Sequence, residues 1–331
     1  GKFKAAGSID FEGAETHFDG YESLIEAAKV LAIFKQNAPV SQAVAGEQVV
    51  VVLDRTPFYA ESGGQVGDRG RLTGSHDKSL VAEVEDTQKI SAEVFGHHVQ
   101  VKSGAIQTGD RVHAEVNAKL RAQTMRNHSA THLMHKALRE VLGVHVQQKG
   151  SLVDEHKTRF DFSHHSALRA EEIREVERIV NEEILQNRAT SAQTMPFDDA
   201  VKAGAMALFG EKYGDVVRVL EIGTSCELCG GTHVSRTGDI GSFKIISESG
   251  VAAGIRRVEA VTGEHCLRLA QDQELQLARI AQILKAPTAE LDSRLRDLIE
   301  QMRTMERELS QLKSRMAAAQ GSGLATQAKQ I

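Results

Sequence analysis

The sequence is short of three things that would place it in familiar classes: cysteine, long apolar runs and excess positive charge. Only three cysteines occur in 331 residues, and two of them share one motif. That usage argues against a disulfide-bonded secreted scaffold and for a reducing compartment. The longest purely aliphatic run is Val49 to Leu53, which is too short to span a membrane. Since no signal peptide is visible either, we expect a cytoplasmic protein.

The overall charge excludes fewer classes of protein than do the scarcity of cysteine and the lack of long apolar runs. The 40 Lys and Arg residues against 45 Asp and Glu residues give a net charge of −5, so no overall basic field points to nucleic acid. A local basic surface would still be enough to bind the end of an RNA. The chain opens at Gly1 without a recognisable domain start. We therefore interpret it as a piece of a longer protein, with residues 1–20 as the tail of a preceding domain.

Three further regions differ in pattern, and together they predict an α+β protein. Residues 21–115 are mostly β with glycine-rich turns such as Ser62-Gly-Gly-Gln65, and they predict a small β-barrel. Residues 116–262 predict helices laid on an antiparallel or mixed sheet. Residues 263–331 shift to Gln, Leu, Arg, Glu and Ala, and they predict a helical hairpin or coiled coil.

Within the central region, the apolar periodicity predicts two helices, the first of them from Ala118 to Leu142 and ended by Gly143. The second runs from Leu168 to Gln186. The predicted strands are Ser151 to Phe162, Val216 to Ile222, Phe243 to Glu248 and Ile255 to Val261.

Pro287 divides the C-terminal region into two predicted helices. In the second helix, apolar residues recur in steps of four and three, which is the seam of a coiled coil. The seam consists of Leu291, Leu295, Leu298, Met302, Met305, Leu309, Leu312 and Met316. Its partner is either the helix from Glu264 to Leu284 or a second copy of the chain, which would make a homo-oligomer through residues 288–318. Residues 320–324 have the composition of a linker or of a frayed helix end.

The strongest chemical signal is a set of histidines and a cysteine in two motifs. His128 and His132 stand four residues apart in an apolar helical pattern, so both imidazoles leave one helix face about one turn apart. Far along the chain, Cys229 and His233 stand in a glycine-rich turn. Three imidazole nitrogens and one thiolate suit tetrahedral Zn²⁺. We predict that these four residues bind one zinc ion.

Another ligand set remains open. His135 lies on nearly the same helix face as His132, and Cys226 forms a Cys-x-x-Cys with Cys229. Cys226, Cys229, His233 and one helix histidine therefore form the alternative. A zinc protease is a poor match, because its motif needs a glutamate directly after the first histidine, and a serine stands there.

These two motifs resemble the editing site of alanyl-tRNA synthetases and of free-standing proteins that hydrolyse mischarged alanine tRNA. Threonyl-tRNA synthetases carry a related editing domain with the same ligand spacing. The resemblance covers nearly the whole chain. The further stretches that carry it are Thr56-Pro-Phe-Tyr-Ala-Glu-Ser-Gly-Gly-Gln65, Gln148-Lys-Gly-Ser-Leu152, Ala207-Leu-Phe-Gly-Glu-Lys-Tyr213 and Gly254-Ile-Arg-Arg-Val-Glu-Ala260. The first stretch and the Cys-Gly-Gly-Thr-His sequence favour the alanine family.

The resemblance implies a function for the zinc site. In that family the editing module hydrolyses the ester that joins serine or glycine to the terminal ribose of tRNA(Ala), while the whole enzyme attaches alanine to tRNA(Ala) using ATP. Editing is needed because a pocket built for alanine rejects glycine and serine only weakly. No aminoacylation module is recognisable in this chain, so we do not expect it to charge tRNA. A non-catalytic, zinc-stabilised fragment that binds tRNA or joins protomers is the alternative.

The resemblance also assigns residues around the site. Thr131 and Gln148 are expected to give the serine hydroxyl a polar partner that alanine would leave unpaired. Arg256 is assigned to the tRNA end or the ester carbonyl. The alternative roles are a helix threonine bonded to its own backbone, an exposed glutamine and an ordinary salt bridge. Weaker candidates for contacts with tRNA phosphates are Arg126, Lys149 and Arg257.

The sequence does not identify the group that activates water. A zinc ion with four protein ligands has no open position. Either His233 is mobile and a zinc-associated water takes its place, or the closed site orients the pocket and the substrate without activating water directly.

Overall fold

The computed structural model describes residues 9–207 and 214–327, with side chains described as far as residue 318. Contacts divide the chain after Cys266 into two compact units. Residues 1–8 of the predicted N-terminal tail lie outside the described residues, as do residues 208–213 of one stretch that carries the resemblance. In the described ranges, no helix is both long enough and apolar enough to cross a membrane.

The first part of the larger unit is a six-stranded antiparallel barrel, as the turn-rich β pattern predicts. The strands of this part are β1 (His17–Phe18), β2 (Ile25–Lys35), β3 (Ala38–Val40), β4 (Gln42–Val44), β5 (Gln48–Leu53), β6 (Arg55–Thr56), β7 (Gly70–Gly74), β8 (Val81–Ser91), β9 (Val94–Ser103), β10 (Ala105–Gln107) and β11 (Arg111–Val116). The sheet runs in the order β11-β7-β8-β9-β5-β2-β3. A second pairing of β11, with β2, closes it into a ring. Closure removes the exposed sheet edges of those six strands.

The aliphatic run Val49 to Leu53 forms the buried strand β5, which lies between β2 and β9. Its odd-numbered side chains enter one apolar cluster with residues of β2, β7, β8, β9 and β11. The alternation of strand side chains fixes that register, because a slip of one residue would turn this set away from the core.

A tight turn extends from the barrel toward the rest of the unit. Ser62 and Gln65 exchange backbone hydrogen bonds of 3.2 and 3.0 Å. Gly63 and Gly64 between them have φ of 57° and 83°, a conformation that glycine adopts without steric cost. A Cβ on Gly64 would also lie 2.5 Å from the carbonyl oxygen of Ser151. The two glycines thus let the turn approach the neighbouring sheet closely.

The second part of the larger unit combines helices with two antiparallel sheets. Its elements are α1 (Ala118–Leu142), β12 (Gln148–Val153), β13 (Thr158–Ser163), α2 (Ala170–Leu185), β14 (Ser191–Pro196), α3 (Phe197–Lys202), β15 (Val216–Ile222), β16 (Ser225–Leu228), a 3₁₀ turn (Thr237–Ile240), β17 (Phe243–Ala252) and β18 (Ile255–Thr262). The four-stranded sheet has the order β12-β13-β18-β17, and the three-stranded sheet has the order β14-β15-β16.

The prediction of helices laid on an antiparallel sheet is confirmed, although the strands form two sheets and not one. Side chains of α1 and α2 share one apolar core with Phe160, Phe162 and Val258 of the four-stranded sheet. The strand Val216–Ile222 belongs instead to the smaller sheet, next to β16. The sequence did not predict β16, because its four residues, Ser-Cys-Glu-Leu, are too few to show an alternating pattern.

Helix α1 has the predicted limits and is buried along most of its length. The Asn117 side chain accepts a hydrogen bond from the Leu120 N–H, and Gly143 follows the last turn with φ of 119°. Ala130, Met134 and Ala137 are fully buried in the core. Both ends are therefore fixed, and the middle of the helix is a rigid support for side chains on its other faces.

A buried ion pair fastens α1 to the barrel. Arg121 and Asp68 are 2% and 6% exposed, and the guanidinium also donates to the carbonyl oxygens of Gly20 and Pro57 at 2.6 and 2.8 Å. Asp68 accepts a further bond of 2.7 Å from the Tyr59 N–H. Because both charges are fully hydrogen-bonded, removal of either partner alone would leave a costly buried charge. The predicted boundary near residue 116 is therefore crossed by strong contacts.

The smaller unit is helical. Helix α4 (Glu264–Leu284), which begins in the larger unit, and α5 (Leu291–Gln327) lie on either side of Pro287, as predicted, with a 3₁₀ turn (Thr288–Glu290) between them. The prediction of a linker at residues 320–324 is wrong, because α5 continues through them. Six of the eight seam side chains are 50–63% exposed, and α4 buries no residue. Packing of the seam, in a hairpin or with a second copy, stays a prediction.

A histidine inside the barrel predicts a specific acid sensitivity. His97 is fully buried, its Nδ1 lies 2.8 Å from the Val51 carbonyl oxygen, and its Nε2 lies 2.7 Å from Thr56 Oγ1. Burial lowers the pKa of His97 to about 4. Below the ordinary value of 6.5, the unfolded chain therefore binds a proton that the folded barrel refuses. Stability should fall as the pH drops from 6.5 to about 4, by up to about 3 kcal/mol from this group.

Urea unfolding at several pH values between 4 and 7 checks this expectation. We expect His97→Gln to lose less stability on acidification than the wild type does. His113→Gln, on the exposed face of β11, is the control and should follow the wild type. Parallel curves for the wild type and His97→Gln would contradict the prediction.

Candidate metal centre and adjoining pocket

The four residues predicted to bind zinc lie together. His128 and His132 project from α1, while Cys229 and His233 lie on the segment that follows β16. Their candidate ligand atoms are all within 4.8 Å of one another. Cys229 Sγ is 3.6 Å from His128 Nε2 and 3.3 Å from His233 Nε2. A helix face and a loop distant in sequence thus supply one cluster of three imidazoles and a thiol.

Neither Cys226 nor His135, the residues that distinguish the alternative ligand set, joins this cluster. Cys226 lies on β16 and packs with apolar side chains of the smaller sheet, and burial raises the pKa of its thiol. His135 is directed to another partner, since its Nδ1 lies 3.0 Å from Glu227 Oε1. The geometry therefore favours the set His128, His132, Cys229 and His233.

Each imidazole of the cluster is oriented through its Nδ1 atom. His128 Nδ1 lies 2.8 Å from Gln65 Oε1, His132 Nδ1 lies 2.5 Å from Glu227 Oε2, and His233 Nδ1 lies 3.0 Å from Ser129 Oγ. These partners leave the three Nε2 atoms to the cluster. Histidines that bind metals commonly show this arrangement, because an outer hydrogen bond fixes the ring and its tautomer.

One of these Nε2 atoms has the surroundings expected of a metal ligand. His132 Nε2 is buried and has no hydrogen-bond partner among the described residues. A buried nitrogen in that state is costly unless a ligand satisfies it. Three imidazoles and a thiolate are donors that zinc prefers.

Gln65, at the end of the barrel turn, joins the two halves of the cluster. Its Oε1 accepts from His128 and from the Thr232 N–H at 2.9 Å, while its Nε2 donates to Thr232 Oγ1 at 2.8 Å. Gln65 is fully buried, so all of these bonds are shielded from water. The barrel thus positions one histidine of α1 and the loop that carries Cys229 at the same time.

The loop itself is held from outside. The Arg218 guanidinium donates to the carbonyl oxygens of Cys229 and Gly231 at 3.1 and 2.9 Å, and Tyr21 Oη donates to the Gly230 carbonyl. The same guanidinium stacks 4.0 Å from the centre of the Tyr21 ring. These contacts fix the backbone of the cysteine and of the two glycines that follow it.

Charge in the cluster favours the thiolate. Burial would raise the pKa of Cys229, but the neighbouring imidazoles of His128, His233 and His132 outweigh it and hold that pKa well below its usual value. Burial, reinforced by His128, lowers the pKa of His233 to about 3, so this ring is neutral. An anionic sulfur beside a neutral imidazole is the protonation state in which both groups bind metals. His132 differs, because Glu227 and Cys229 outweigh burial and raise its pKa to about 10, so a metal ion would have to displace its proton.

Glu227 supplies a second negative charge next to the cluster. Burial opposes its ionisation, but the neighbouring His132 and His135 outweigh burial and lower the pKa of Glu227 to about 2. The carboxylate is 3% exposed, and each of its oxygens faces one of the two histidines. The sequence analysis did not identify this residue. Its position two residues before Cys229 on a strand was the only available signal.

A pocket adjoins the cluster and contains two of the predicted specificity residues. Its lining includes Thr131 and Gln148, together with Ser151 and Phe160 of the four-stranded sheet. The barrel turn and the loop after β16 complete it, through Tyr59, Ser62, Gly63, Leu228, Cys229, Gly230 and Gly231. His128, His132, His135 and Glu227 form the wall next to the cluster.

Thr131 is already hydrogen-bonded within the fold. Its Oγ1 donates to the Asn127 carbonyl oxygen at 2.7 Å, which is the backbone bond expected of a helix threonine. Since its one proton is used there, the Thr158 hydroxyl at 2.6 Å must donate to Thr131. The oxygen of Thr131 retains acceptor capacity but no free proton.

The arginines predicted to contact tRNA do not line this pocket. Arg256 is paired with Glu248, with Nε 2.6 Å from Oε1. Arg257 binds Asp161 through two bonds of 2.7 and 2.8 Å on the opposite sheet face. Arg126 donates to the Asp239 carbonyl oxygen. Lys149 is exposed on β12. In the structure Arg256 therefore forms an ordinary salt bridge, which was the alternative to its assigned role.

A glycine of the loop allows a direct test of how closely the cluster is packed. A Cβ on Gly231 would lie 2.1 Å from His128 Cε1 and 2.9 Å from Gln65 Oε1, whereas a Cβ on Gly230 would meet only Tyr21 Oη at 3.9 Å. We expect Gly231→Ala to displace His128 and weaken zinc binding by roughly 10- to 100-fold, as for other losses of ligand orientation. Gly230→Ala should bind zinc like the wild type. Competition with a chromophoric chelator measures both, and equal affinity of all three proteins would contradict the prediction.

Comparison with known families agrees with the positions of these motifs. Residues 4–120 match the family of class II (A) tRNA synthetases, and residues 217–259 match the threonyl and alanyl tRNA synthetase second additional domain. The second match contains all of β15 except Val216, then β16 and the segment with Cys229 and His233.

Alanine–tRNA ligases are among the proteins to which the chain is similar. The chain is 59% identical to that of Aromatoleum aromaticum over 331 residues, and 58% identical to that of Bordetella parapertussis over 329 residues. The protein of Cupriavidus necator is 59% identical over 332 aligned positions. These alignments cover 99–100% of this chain but only 37–38% of each relative. The chain belongs to the alanyl-tRNA synthetase family.

Proposed function

We propose that this chain is the editing module of an alanyl-tRNA synthetase, acting in the cytoplasm. It hydrolyses the ester of seryl- or glycyl-tRNA(Ala) at a site that contains zinc. The observation that carries the proposal is the convergence of three Nδ1-anchored imidazoles and Cys229 beside a pocket lined by Thr131 and Gln148. Attachment of alanine to tRNA(Ala) is an activity named for the longer relatives.

His128, His132, Cys229 and His233 would hold the zinc ion. When bound, zinc would supply positive charge that fixes the pocket wall and favours the negative charge developing on the ester carbonyl. With four protein ligands the ion has no open position, and His233 is anchored through Ser129. That anchoring favours a closed site over one in which His233 leaves.

Selectivity for serine follows from the hydrogen bonds of Thr131. Its proton is committed to Asn127 and its oxygen can still accept. A serine hydroxyl in the pocket would donate to the remaining lone pair of that oxygen, whereas the methyl group of alanine would leave this lone pair desolvated and without a donor. Sites that hydrogen-bond a substrate hydroxyl reject the analogue without it most strongly. Gln148 offers a second polar partner from β12.

Binding of the tRNA end needs positive charge near the pocket mouth. Arg126 and Lys149 are the proposed phosphate contacts. Arg256 and Arg257 would contribute only if they exchanged their carboxylate partners, Glu248 and Asp161, for phosphates. Since phosphate contacts supply affinity and not selectivity, their loss should weaken binding of every aminoacyl-tRNA(Ala) alike.

A second candidate is a zinc-stabilised fragment that binds tRNA or joins protomers without catalysis. Two observations favour it: the ligand set is closed, and the seam of α5 is exposed. This candidate requires that removal of the metal unfold the core and that no substitution affect hydrolysis alone.

Single-turnover hydrolysis distinguishes the two candidates. Purified chain is mixed with seryl-tRNA(Ala) or alanyl-tRNA(Ala), and loss of each ester is followed. We expect selective loss of the seryl ester, and a rate reduced by roughly 100-fold or more in Cys229→Ala, because losing a ligand exceeds the effect of losing its outer partner. Cys226→Ala is the control and should remain active. If the metal-loaded wild type cleaves neither ester, the editing proposal is wrong.

Selectivity is tested separately with Thr131→Val. The variant keeps the shape of the side chain and removes the acceptor, so the preference for seryl over alanyl ester should fall by roughly 10- to 100-fold. Thr158→Val removes the same Thr131–Thr158 bond without changing the pocket lining, and it should keep the preference. Equal losses in both variants would show that the bond only stabilises the fold.

A further inference from the structure

The proposed hydrolysis leaves one role unassigned: the group that removes a proton from the attacking water. If the metal is closed by four protein ligands, a side chain in the pocket must do this. His128, His132 and His233 direct their Nε2 atoms to the cluster, and both oxygens of Glu227 face histidines. The candidates are therefore the remaining titratable side chains that line the pocket.

Two such residues remain among the described pocket residues, Tyr59 and His135. Burial raises the pKa of Tyr59, and its hydroxyl donates to the Ser62 carbonyl oxygen at 3.1 Å. A phenol in that state is protonated and a poor base. His135 differs because one ring nitrogen is anchored and the other is not.

The hydrogen bonds of His135 define its tautomer. Nδ1 lies 3.0 Å from Glu227 Oε1, and a carboxylate can only accept, so Nδ1 carries the proton. In the neutral ring Nε2 then bears a lone pair. It is buried and has no hydrogen-bond partner among the described residues, although the ring lines the pocket and is 2% exposed. The Phe160 ring lies 5.1 Å away, centre to centre, on the pocket wall.

We propose that His135 is the general base of ester hydrolysis and that Glu227 is its positioning residue. This inference rests on the proposed editing function. Nε2 accepts a proton from water as the water oxygen bonds to the ester carbonyl carbon. When the bond to the ribose oxygen breaks, the same proton passes to that oxygen. The products are the free amino acid and the terminal hydroxyl of tRNA. A histidine anchored by a carboxylate at Nδ1 performs this role in unrelated hydrolases.

The single carboxylate of Glu227 would then orient a residue of the metal cluster and the general base at the same time. Its Oε2 orients His132 for the metal and its Oε1 orients His135 for water. His132 and His135 are three residues apart on α1, so both rings leave the helix toward the same strand. The Cys-x-x-x-His motif and the base are thereby linked through the residue two positions before Cys229.

Two substitutions of His135 separate a base from a structural residue. His135→Asn keeps an N–H near the position of Nδ1 for Glu227 and removes Nε2. His135→Ala removes both and leaves room for a small molecule. We expect both variants to bind zinc in equal amount to the wild type, and to hydrolyse seryl-tRNA(Ala) roughly 100- to 10,000-fold more slowly in single turnover. Added imidazole should restore part of the rate of His135→Ala and none of that of His135→Asn.

The outcomes are distinguishable. A wild-type rate in His135→Asn would mean that the residue only holds Glu227, and it would overturn the base role. Loss of zinc from His135→Asn, or failure of imidazole to restore a folded, zinc-loaded His135→Ala, would also overturn it. A wild-type chain that leaves seryl-tRNA(Ala) intact would contradict the editing function itself, whatever the variants do.

Discussion

The hydrogen bond from His128 to Gln65 is the contact on which the arrangement of the site depends. Gln65 belongs to a barrel turn, His128 to the buried helix α1, and the same amide group binds the backbone and hydroxyl of Thr232 in the cysteine loop. One neutral side chain therefore fixes the relative positions of three segments that are far apart in sequence. Because it is fully buried, its polar atoms have no water to replace a lost partner, and any displacement of the turn leaves unsatisfied groups beside the cluster. The barrel is in this sense part of the metal centre, although it contributes no ligand.

Charge balance is the second constraint. Glu227, which is buried, and the Cys229 thiolate, which is half-buried, place two negative charges at the cluster. Arg121 and Asp68 form a buried ion pair between α1 and the barrel. Buried charges persist only when each is paired or hydrogen-bonded. Arg121 meets that condition through two backbone carbonyls. The cluster meets it through three imidazoles and, under the proposed function, a divalent cation. The same electrostatics that would retain the metal also set the tautomer of His135.

Those parts of the fold that depend on local sequence pattern could be predicted from the sequence. The limits of α1, the buried strand at Val49 to Leu53 and the proximity of His128 and His132 all follow from periodicity and from glycine at Gly143. The partners of those histidines did not follow. Gln65 and Glu227 acquire their roles only when distant segments meet, and nothing in a glutamine beside two glycines distinguishes a ligand-orienting amide from an ordinary hairpin. The division of the strands into two sheets likewise depends on β14 and β16, which pair with the two sides of β15 and were not predicted from the sequence. At residues 320–324 the composition of a linker was overridden by the continuing helix α5.

X-ray absorption at the zinc edge tests the central claim most directly, because it counts the ligands without reference to activity. The wild-type chain is loaded with one equivalent of zinc and compared with Cys226→Ala. Ligation by His128, His132, Cys229 and His233 predicts three nitrogens at about 2.0–2.1 Å and one sulfur at about 2.3 Å, unchanged by the substitution. A second sulfur that disappears in Cys226→Ala, or a chain that retains no zinc, would contradict the site described above.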